Sequence, residues 1–472
     1  MAQSDRSRHE RRLSSLKQER QHYESLWQDY NNFIAPGRLR LNGDERKGKA
    51  KHKHIVDETG LLAFRTLRSG MQSGQTSPAR PWFRLSTFDK EMREFGPIKD
   101  YLYKVEMVMR QVMQQSNLYN VLHNGYGDLG QFGQMCALLV NDPEDYIRGV
   151  PLLTGQYWIA QNERGRVDTM YRKIPMTVEQ VVGKFVSNGD GSMDWSRTSL
   201  AIKNLYDRGS YDEWVNIYHA VEPRRERDES KADVANMRYL SNYWEEGQTG
   251  DVLLMESGFN QNRILAPRWE TVGSDVYAAN HPGEISLPGI KMLQTEQRRK
   301  GEAIDKMVRP PMVGPTAMKN NPSSILPGSI TYVDNPGNQP AYRPAFEVRF
   351  DVTAAMHDIQ EVQQRIDRCW YADLFFAITQ MQGVQPRNVM ELSQRKEEQL
   401  LQLGPVVDRQ QYELLNPIID IVFDACVEAD LLPPAPQELE GEALKIDHIS
   451  LLAQAQKAVS TGAIERAIGF IG

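Results

Sequence analysis

One segment of the chain has the residue spacing of a phosphate-binding loop. The sequence from Gly43 to Ala50 reads GDERKGKA, with glycines and a lysine placed as in loops that cradle nucleotide phosphates. Ala50 stands where a Ser or Thr should hold magnesium, and no convincing strand precedes the loop. The basic tract 51–54 follows where a helix would be needed. A solvated basic loop therefore explains the segment better, and an ATPase that processes nucleic acid with residues 43–50 stays an alternative hypothesis.

Side chains that could bind a metal or act as nucleophiles are scattered along the chain. His52 and His54 lie two residues apart, but no third ligand lies near them in the sequence. The three cysteines, Cys136, Cys369 and Cys426, are far apart, which favours a reducing compartment over a disulfide framework or a zinc site. No HExxH, paired CxxC or GxSxG motif occurs. The sequence therefore predicts a protein that is not an enzyme and holds no metal or cofactor.

Charge is distributed unevenly along the chain. The net charge is −6, and the residues from 391 to 472 contain fourteen acids and six bases. Such an acidic end does not favour binding of a polyanion. The basic stretches 44–54 and 223–227 are short, and Trp82 and Phe83 of the RPWFR motif at 80–84 are better explained as core residues than as base-stacking groups.

The length and the two ends of the chain limit its class. A chain of 472 residues is expected to form more than one packed unit. It contains no uncharged apolar run of about 18 residues, which a membrane span would need. Residues 1–12 are crowded with charge and lack the apolar segment of a signal peptide. We therefore expect the protein to stay in the compartment where it is made.

Periodicity divides the chain into a helical start, a strand-rich middle and a helical end. Apolar residues at helical spacing predict helices over 8–35, from Asp57 as N-cap, over 97–116 and over 118–135. A short helix opens at Met176 and Thr177. Runs of β-branched and aromatic residues predict an antiparallel sheet from strands at 136–141, 156–161, 167–174, 214–221, 238–244 and 252–257.

Residues 287–376 have the most unusual pattern and are predicted to be the working part. Residues 289–308 form a charged helix with few large apolar side chains. The acid precedes the base by four residues, the favourable order on a helix, in the pairs Glu296/Lys300, Glu302/Lys306 and Asp305/Arg309. A helix with so little apolar surface is expected to line up beside copies of itself or to stand in solvent.

The segments after this helix alternate between irregular and helical. Pro310 and Pro311 end the helix, and a Pro/Gly-rich loop follows up to about residue 345. Residues 350–376 form a second helix, then 382–388 form a short break. A long helix over 389–429 is expected to kink at Pro405 and Pro417, and a small acidic helical unit closes the chain. The apolar seam of the second helix is predicted to be Val352, Met356, Ile359, Val362, Ile366 and Cys369.

This order of elements resembles the portal, or head-to-tail connector, proteins of short-tailed bacteriophages. The resemblance runs over about 13–436. Its most specific stretch is 57–84, DETGLLAFRTLRSGMQSGQTSPARPWFR. Residues 277–281, YAANH, depart from the glycine- and arginine-rich run that the family has there. The other stretches that carry the resemblance are WQDYNNFIAP at 27–36, GRVDTMYR at 165–172, PRW at 267–269, HPG at 281–283, EE at 397–398, LGP at 403–405 and 431–436.

The resemblance implies an α+β portal fold that forms a ring, with a helical wing and stem, an antiparallel β region, an irregular clip and a small helical crown. We expect no long barrel-like extension after the crown. The implied division is 1–286 wing, 287–308 first stem helix, 309–345 clip, 346–381 second stem helix, 382–388 channel loop, 389–432 long kinked wing helix and 433–472 crown.

The resemblance also implies a role and partners. The ring, usually of twelve subunits, would sit at one capsid vertex of a virion assembled in the host cytoplasm, and would conduct double-stranded DNA during packaging and ejection. Other implied partners are terminase, tail adaptor or head-completion proteins, and the major capsid and scaffolding proteins; no membrane is implied. A protein that does not form rings and serves as an adaptor or scaffold stays an alternative.

Three groups of residues are implied to carry this role. Channel-facing residues would be Gln382, Gly383, Val384, Gln385, Arg387 and Asn388. Clip residues that dock terminase or adaptor would be Arg309, Lys319, Asn320, Asn321, Ser323, Ser324 and Asn335. Charge pairs between subunits would come from Glu296, Lys300, Glu302 and Lys306.

Overall fold

The computed structural model of the chain describes residues 5–41, 53–188, 190–231, 233–248, 251–313, 343–344, 351–380, 397–439, 442 and 444–457. Within these residues, the two ends of the chain are mainly helical and the middle forms antiparallel sheets. The predicted α+β class is confirmed.

The N-terminal part follows the predicted order closely. It comprises α1 (Asp5–Phe33), α2 (Thr59–Gln75), β1 (Phe83–Thr87), α3 (Lys90–Glu94), α4 (Gly96–Gln115) and α5 (Leu118–Phe132). Asp57 lies two residues before α2, yet its carboxylate accepts a hydrogen bond from the Thr59 N–H at 2.9 Å. Gly133 ends α5 with a φ of 76°, a left-handed conformation that glycine adopts without strain.

The middle of the chain forms two sheets rather than the single sheet that was predicted. Five strands pair in sequence order: β4 (Tyr157–Gln161), β5 (Val167–Thr177), β6 (Trp214–Pro223), β7 (Tyr239–Glu245) and β8 (Met255–Phe259). A second sheet places β2 (Cys136–Asp142) between β3 (Tyr146–Leu152) and β9 (Ile264–Leu265). Strand β3 was missed because Gly149 and Pro151 within it are residues that usually mark turns.

Helices cover both faces of the five-stranded sheet. Leu13 and Leu16 of α1 pack against one face, beside the aromatic side chains of Trp158 and Trp244. On the other face lie α6 (Val178–Val181), a π-turn over Val182–Val186, and α7 (Leu200–Asp207). The sequence predicted the short helix that begins here but did not predict α7. Thr177 and Gln180 cap α6 reciprocally. Side chains alternate along a strand, so each strand contributes to both layers.

The next part contains the predicted pair of helices. It comprises α8 (Pro282–Val308), β10 (Met312–Val313), β11 (Arg343–Pro344), α9 (Val352–Cys369) and α10 (Ala372–Gln380). The helix predicted from about residue 287 begins five residues earlier, because His281 caps it and Pro288 lies inside it rather than at its start. The second helix is not continuous: Tyr371 has a φ of 53° and separates α9 from α10. The apolar spacing continues across this break, so no local signal marks it.

The C-terminal part corrects the prediction for the closing unit. The described portion of the long helix consists of α11 (Glu397–Gln410), a π-turn over Gln411–Leu415 and α12 (Asn416–Glu428). Pro405 lies inside α11, whereas the π-turn precedes Pro417, which has no N–H to continue the ladder. The closing unit is not purely helical, since β12 (Leu444–His448) pairs antiparallel with β1. Its partner lies more than 350 residues earlier, and the sequence alone does not reveal such a pairing.

Candidate functional site

The first part of α8 and the last part of α9 pack closely together. Gly289 lies at this contact: a Cβ there would lie 3.7 Å from Ile366 Cγ1 and 3.9 Å from Val362 Cγ1, which are ordinary van der Waals distances. On the α8 side, the apolar side chains Ile290 and Leu293 are fully buried. The two helices are therefore held together where α8 begins and α9 ends.

The predicted seam of the second helix is confirmed only in part. Ile359, Val362 and Ile366 are buried, whereas Met356 is exposed. Val352 and Cys369, at the two ends of the seam, are half-buried. The first turns of α9 thus leave the apolar side chain of Met356 uncovered.

Asp57 joins three segments at this contact. Its Oδ2 accepts hydrogen bonds from Gln297 Nε2 of α8 at 2.8 Å and from Gln363 Nε2 of α9 at 3.0 Å. Gln294 of α8 bonds to the backbone of Asp57 through both its amide oxygen and its amide nitrogen. Burial raises the pKa of Asp57, but the hydrogen bonds from Thr59, Gln297 and Gln363 outweigh it and hold that pKa below its usual range. The charged carboxylate is thus the favoured form.

The break between α9 and α10 is fixed by its own contacts. Trp370 is fully buried, and its Nε1 donates to Ser286 Oγ of α8 at 2.9 Å. Next to it, α10 lies against α2, where the backbone of Gly70 approaches the side chain of Phe375 so closely that a Cβ at Gly70 would overlap the ring. The start of α10 is therefore tied to α8, and its middle to α2.

The base of α8 is anchored by backbone contacts. A Cβ at Gly283 would lie 3.0 Å from the carbonyl carbon of Gln131 and 3.1 Å from the carbonyl oxygen of Gly130. His281 Nδ1 lies 3.3 Å from the Glu284 nitrogen and 3.2 Å from the Gly130 carbonyl oxygen, so one tautomer caps the helix and the other bonds to α5. Burial lowers the pKa of His281 to about 4, and the ring is therefore neutral at ordinary pH.

Beyond this anchored end, α8 is mostly exposed. Its apolar residues Ile304, Met307 and Val308 face solvent, and Val308 is 73% exposed. This surface contrasts with the anchored turns of the same helix, where Ile290 and Leu293 are covered. The outer half of α8 therefore has apolar groups that are not covered by the part of the chain that the structure describes.

The predicted charge pairs lie on this outer half. Among the described residues, no ion pair joins Glu296 to Lys300 or Glu302 to Lys306 within the chain. Burial, and next the carboxyl of Asp358 on α9, raise the pKa of Glu296. The prediction that these charges pair between subunits is not tested by a single chain and stays a prediction.

The other predicted site residues fall largely outside the described residues. Arg309 is described and follows the last residue of α8. The clip residues Lys319, Asn320, Asn321, Ser323, Ser324 and Asn335 and the channel-loop residues Gln382, Gly383, Val384, Gln385, Arg387 and Asn388 are not described, and neither is the loop 43–50. Antiparallel pairing of Met312 with Pro344 and of Val313 with Arg343 brings the two ends of the predicted clip segment together.

A buried ion pair that the sequence did not reveal locks the long helix to the sheets. Arg268 is 1% exposed and donates to Glu413 Oε1 at 2.7 Å and to Gln161 Oε1 at 2.6 Å. Glu413 lies in the π-turn between α11 and α12, and the wider turn directs its side chain inward. The only sequence signal was the PRW stretch at 267–269, which carried family resemblance without a structural reason.

The described residues give no sign of a metal site or of a membrane span. No group of three or more His, Cys, Asp or Glu side chains among them is placed to hold a metal ion. No helix in the described part of the chain is both long enough and apolar enough to cross a membrane.

Comparison with known proteins decides the family. The family model described as bacteriophage head to tail connecting protein matches residues 6–472. The chain belongs to this family. A portal protein of Salmonella phage epsilon15 is 42% identical over 475 residues, which covers 100% of this chain and 84% of the relative. A probable portal protein of Bordetella phage BPP-1 is 39% identical over 464 residues, covering 98% of this chain and 81% of the relative.

The family is structural, and this chain is a portal subunit of the capsid vertex. The resemblance to portal proteins that the sequence indicated is therefore confirmed. Two solved structures are also similar to the chain. A virion of a native gene transfer agent particle matches with a TM-score of 0.34 and 10% identity, covering 88% of this chain and 86% of that chain. The neck of an empty gene transfer agent particle matches with a TM-score of 0.35 and 12% identity, covering 84% and 85%.

Proposed function

We propose that copies of this chain form a ring, with α8 and α9 as stem helices around a channel for double-stranded DNA. The observation that supports the ring most directly is the outer half of α8. Apolar and charged side chains stand exposed there together, without ion pairs inside the chain among the described residues. A ring buries such a surface against the next copy through head-to-tail contacts that close. Twelve subunits of 54.0 kDa would make a ring of about 0.65 MDa.

The remaining parts have assigned roles in this proposal. Residues 309–345, whose ends are joined by β10 and β11, form the clip, where terminase docks during packaging and tail adaptor or head-completion proteins dock afterwards. Residues 382–388 form the channel loop. The crown at 433–472 and the wing face the capsid, where major capsid and scaffolding proteins assemble around the ring. The ring is assembled in the host cytoplasm.

Charge reversal on α8 tests the ring and its interface together. We expect Glu302→Lys to lower the fraction of rings seen by mass photometry at low salt, because it opposes like charges between neighbouring helices. The swap Glu302→Lys with Lys306→Glu should restore rings if these two side chains meet across the interface. Glu144→Lys, on the exposed turn between β2 and β3, is the control.

Two outcomes would count against the proposal. A wild-type chain that stays monomeric at micromolar concentration, with no rings in negative stain, rules out the ring and favours the adaptor or scaffold alternative. Rings that respond equally to all three variants place the interface elsewhere. Deletion of residues 320–328 should leave rings intact and abolish binding of terminase or adaptor, which tests the clip separately.

A further inference from the structure

A cluster of positive charge surrounds one buried carboxylate beside α2. Arg38 Nε donates to Asp128 Oδ1 at 2.7 Å. Arg38 and Arg68 both lie over the ring of Phe64, at 5.5 and 5.9 Å from its centre. Arg65, one turn before Arg68 on α2, is exposed. One carboxylate cannot balance these three guanidinium groups, so the cluster keeps an excess of positive charge.

Burial and this excess of positive charge lower the pKa of Arg68 and of His123. Burial, followed by the charges of Arg38 and Arg65, lowers the pKa of Arg68. Burial, followed by the charges of Arg68 and Arg38, lowers the pKa of His123. In addition, Arg68 Nε and His123 Nδ1 are buried and have no hydrogen-bond partner in the structure. Polar atoms that are buried without a partner are uncommon in folded proteins, and His123 lines an open groove.

This groove lies beside the cluster, where Ser69 follows Arg68 in α2, and it extends along α2 to the segment 77–80. Its volume is about 610 Å³, which lies within the range of clefts that bind ligands. No acidic side chain lines the groove, and all of its polar side chains can donate hydrogen bonds. They are Ser69, Gln72, Ser73, Ser77, Arg80 and His123. Ser73 Oγ already donates to the Gly70 carbonyl and Gln72 Nε2 to the Tyr119 carbonyl. The hydroxyls of Ser69 and Ser77 and the ring of His123 therefore suit an anion that accepts hydrogen bonds.

The groove lies along the C-terminal half of α2, and α10 runs beside α2 toward that end. Trp370, just before α10, lies 6.1 Å from Phe64, and Phe375 inside α10 meets Gly70, so the two helices run in the same direction. The C-terminal end of α10 therefore approaches the level of Ser73, which lines the groove. In the proposed function the channel loop follows α10 directly.

We propose that this groove, lined by Ser69, Arg80 and His123 and bordered by the positive cluster of Arg65 and Arg68, binds the phosphate backbone of double-stranded DNA. The inference rests on the proposed function in one respect, because the ring brings DNA to this part of the chain. Guanidinium groups and hydroxyls donate to phosphate oxygens without reading the base sequence. A ring repeats the groove once in each subunit, so weak contacts add up along the duplex.

The test measures binding of a fluorescent duplex to assembled rings over a series of salt concentrations. Arg65→Gln with Arg68→Gln should weaken binding about tenfold and make the log–log salt slope less negative, by roughly 0.9 for each phosphate that is no longer neutralised. Ser69→Asp should weaken binding similarly, because it adds a negative charge at an exposed position and removes no packed side chain. Arg164→Gln, on the exposed turn between β4 and β5, removes one arginine charge elsewhere and should change neither quantity.

Ring formation is checked first by mass photometry, so that failure of the proposed function is seen separately as an absence of rings in the wild type. Intact rings whose affinity and salt slope are unchanged in both groove variants would overturn the inference. So would polyglutamate that displaces the duplex as well as competitor DNA does, since the groove would then bind acidic protein. An affinity that falls equally in the Arg164→Gln control would also overturn it.

Discussion

The anchor of α8 on α5 leads to a sharp prediction about one glycine. Replacing Gly283 by Ala places a Cβ against the carbonyl groups of Gln131 and Gly130, which are backbone atoms and cannot rotate away. Carbon–oxygen contacts normally lie at about 3.3–3.6 Å, whereas the Gly130 oxygen would lie 3.1 Å from this Cβ and the Gln131 oxygen closer still. The two helices must therefore move apart. Overpacking of this kind costs about 1–3 kcal/mol.

The same helix provides a matched control. Gly301 also lies in α8, and a Cβ there would meet nothing within 4 Å. Gly301→Ala should therefore stabilise the protein by about 0.5–1 kcal/mol, because alanine loses less backbone entropy in a helix. The two variants make the same chemical change and are expected to move stability in opposite directions.

Urea unfolding followed by tryptophan fluorescence measures both variants under the same conditions. Gly283→Ala should lower the midpoint and Gly301→Ala should raise it. Mass photometry of the same samples shows whether the displaced base of α8 also reduces ring formation. Equal midpoints for the two variants, or a higher midpoint for Gly283→Ala, would refute the close backbone contact between α8 and α5.

Three further predictions concern buried polar groups. The pKa of Asp57 is lower in the folded chain than in the unfolded chain. The carboxylate therefore stabilises the fold fully above its unfolded pKa, and this stabilisation is lost as the pH falls through the folded pKa. Asp57→Asn should make stability depend less on pH in this part of the acid-unfolding curve, and an unchanged curve would contradict this prediction. Arg268→Met should lower the free energy of unfolding in urea by about 3 kcal/mol, because Glu413 would stay buried and, among the described residues, would keep only Arg409, 3.6 Å away, as an ion-pair partner. Adding Glu413→Leu should recover most of the stability, and an equally unstable double variant would argue against the ion pair. Burial raises the pKa of the Cys136 thiol to about 12, whereas Cys369 is only half-buried. Mass spectrometry after brief alkylation of the native protein should therefore find Cys369 modified before Cys136. The reverse order would disagree with the structure.

Local sequence patterns were sufficient for most elements of the fold. Helix α4 was predicted to within one residue at each end because its apolar stripe is regular and Pro97 marks its first turn. The burial of Trp82 and Phe83 also followed from their types. In contrast, β3 was hidden by Gly149 and Pro151, and the break between α9 and α10 was hidden by an apolar spacing that continues across it. These features depend on contacts made elsewhere in the fold.

The candidate site divides in the same way. The sequence by itself determined that residues 289–308 form a helix dense in charge, and its motifs identified the family. The tertiary structure decided which of its residues are anchored, since the bonds to Asp57 and the contact at Gly283 join segments more than 150 residues apart. It also decided that the charges of Arg38 and Arg68 lie near His123, which lines a groove along α2. Spacing along the chain reports which face of one helix a residue occupies, whereas the meeting of two helices depends on how the whole chain packs.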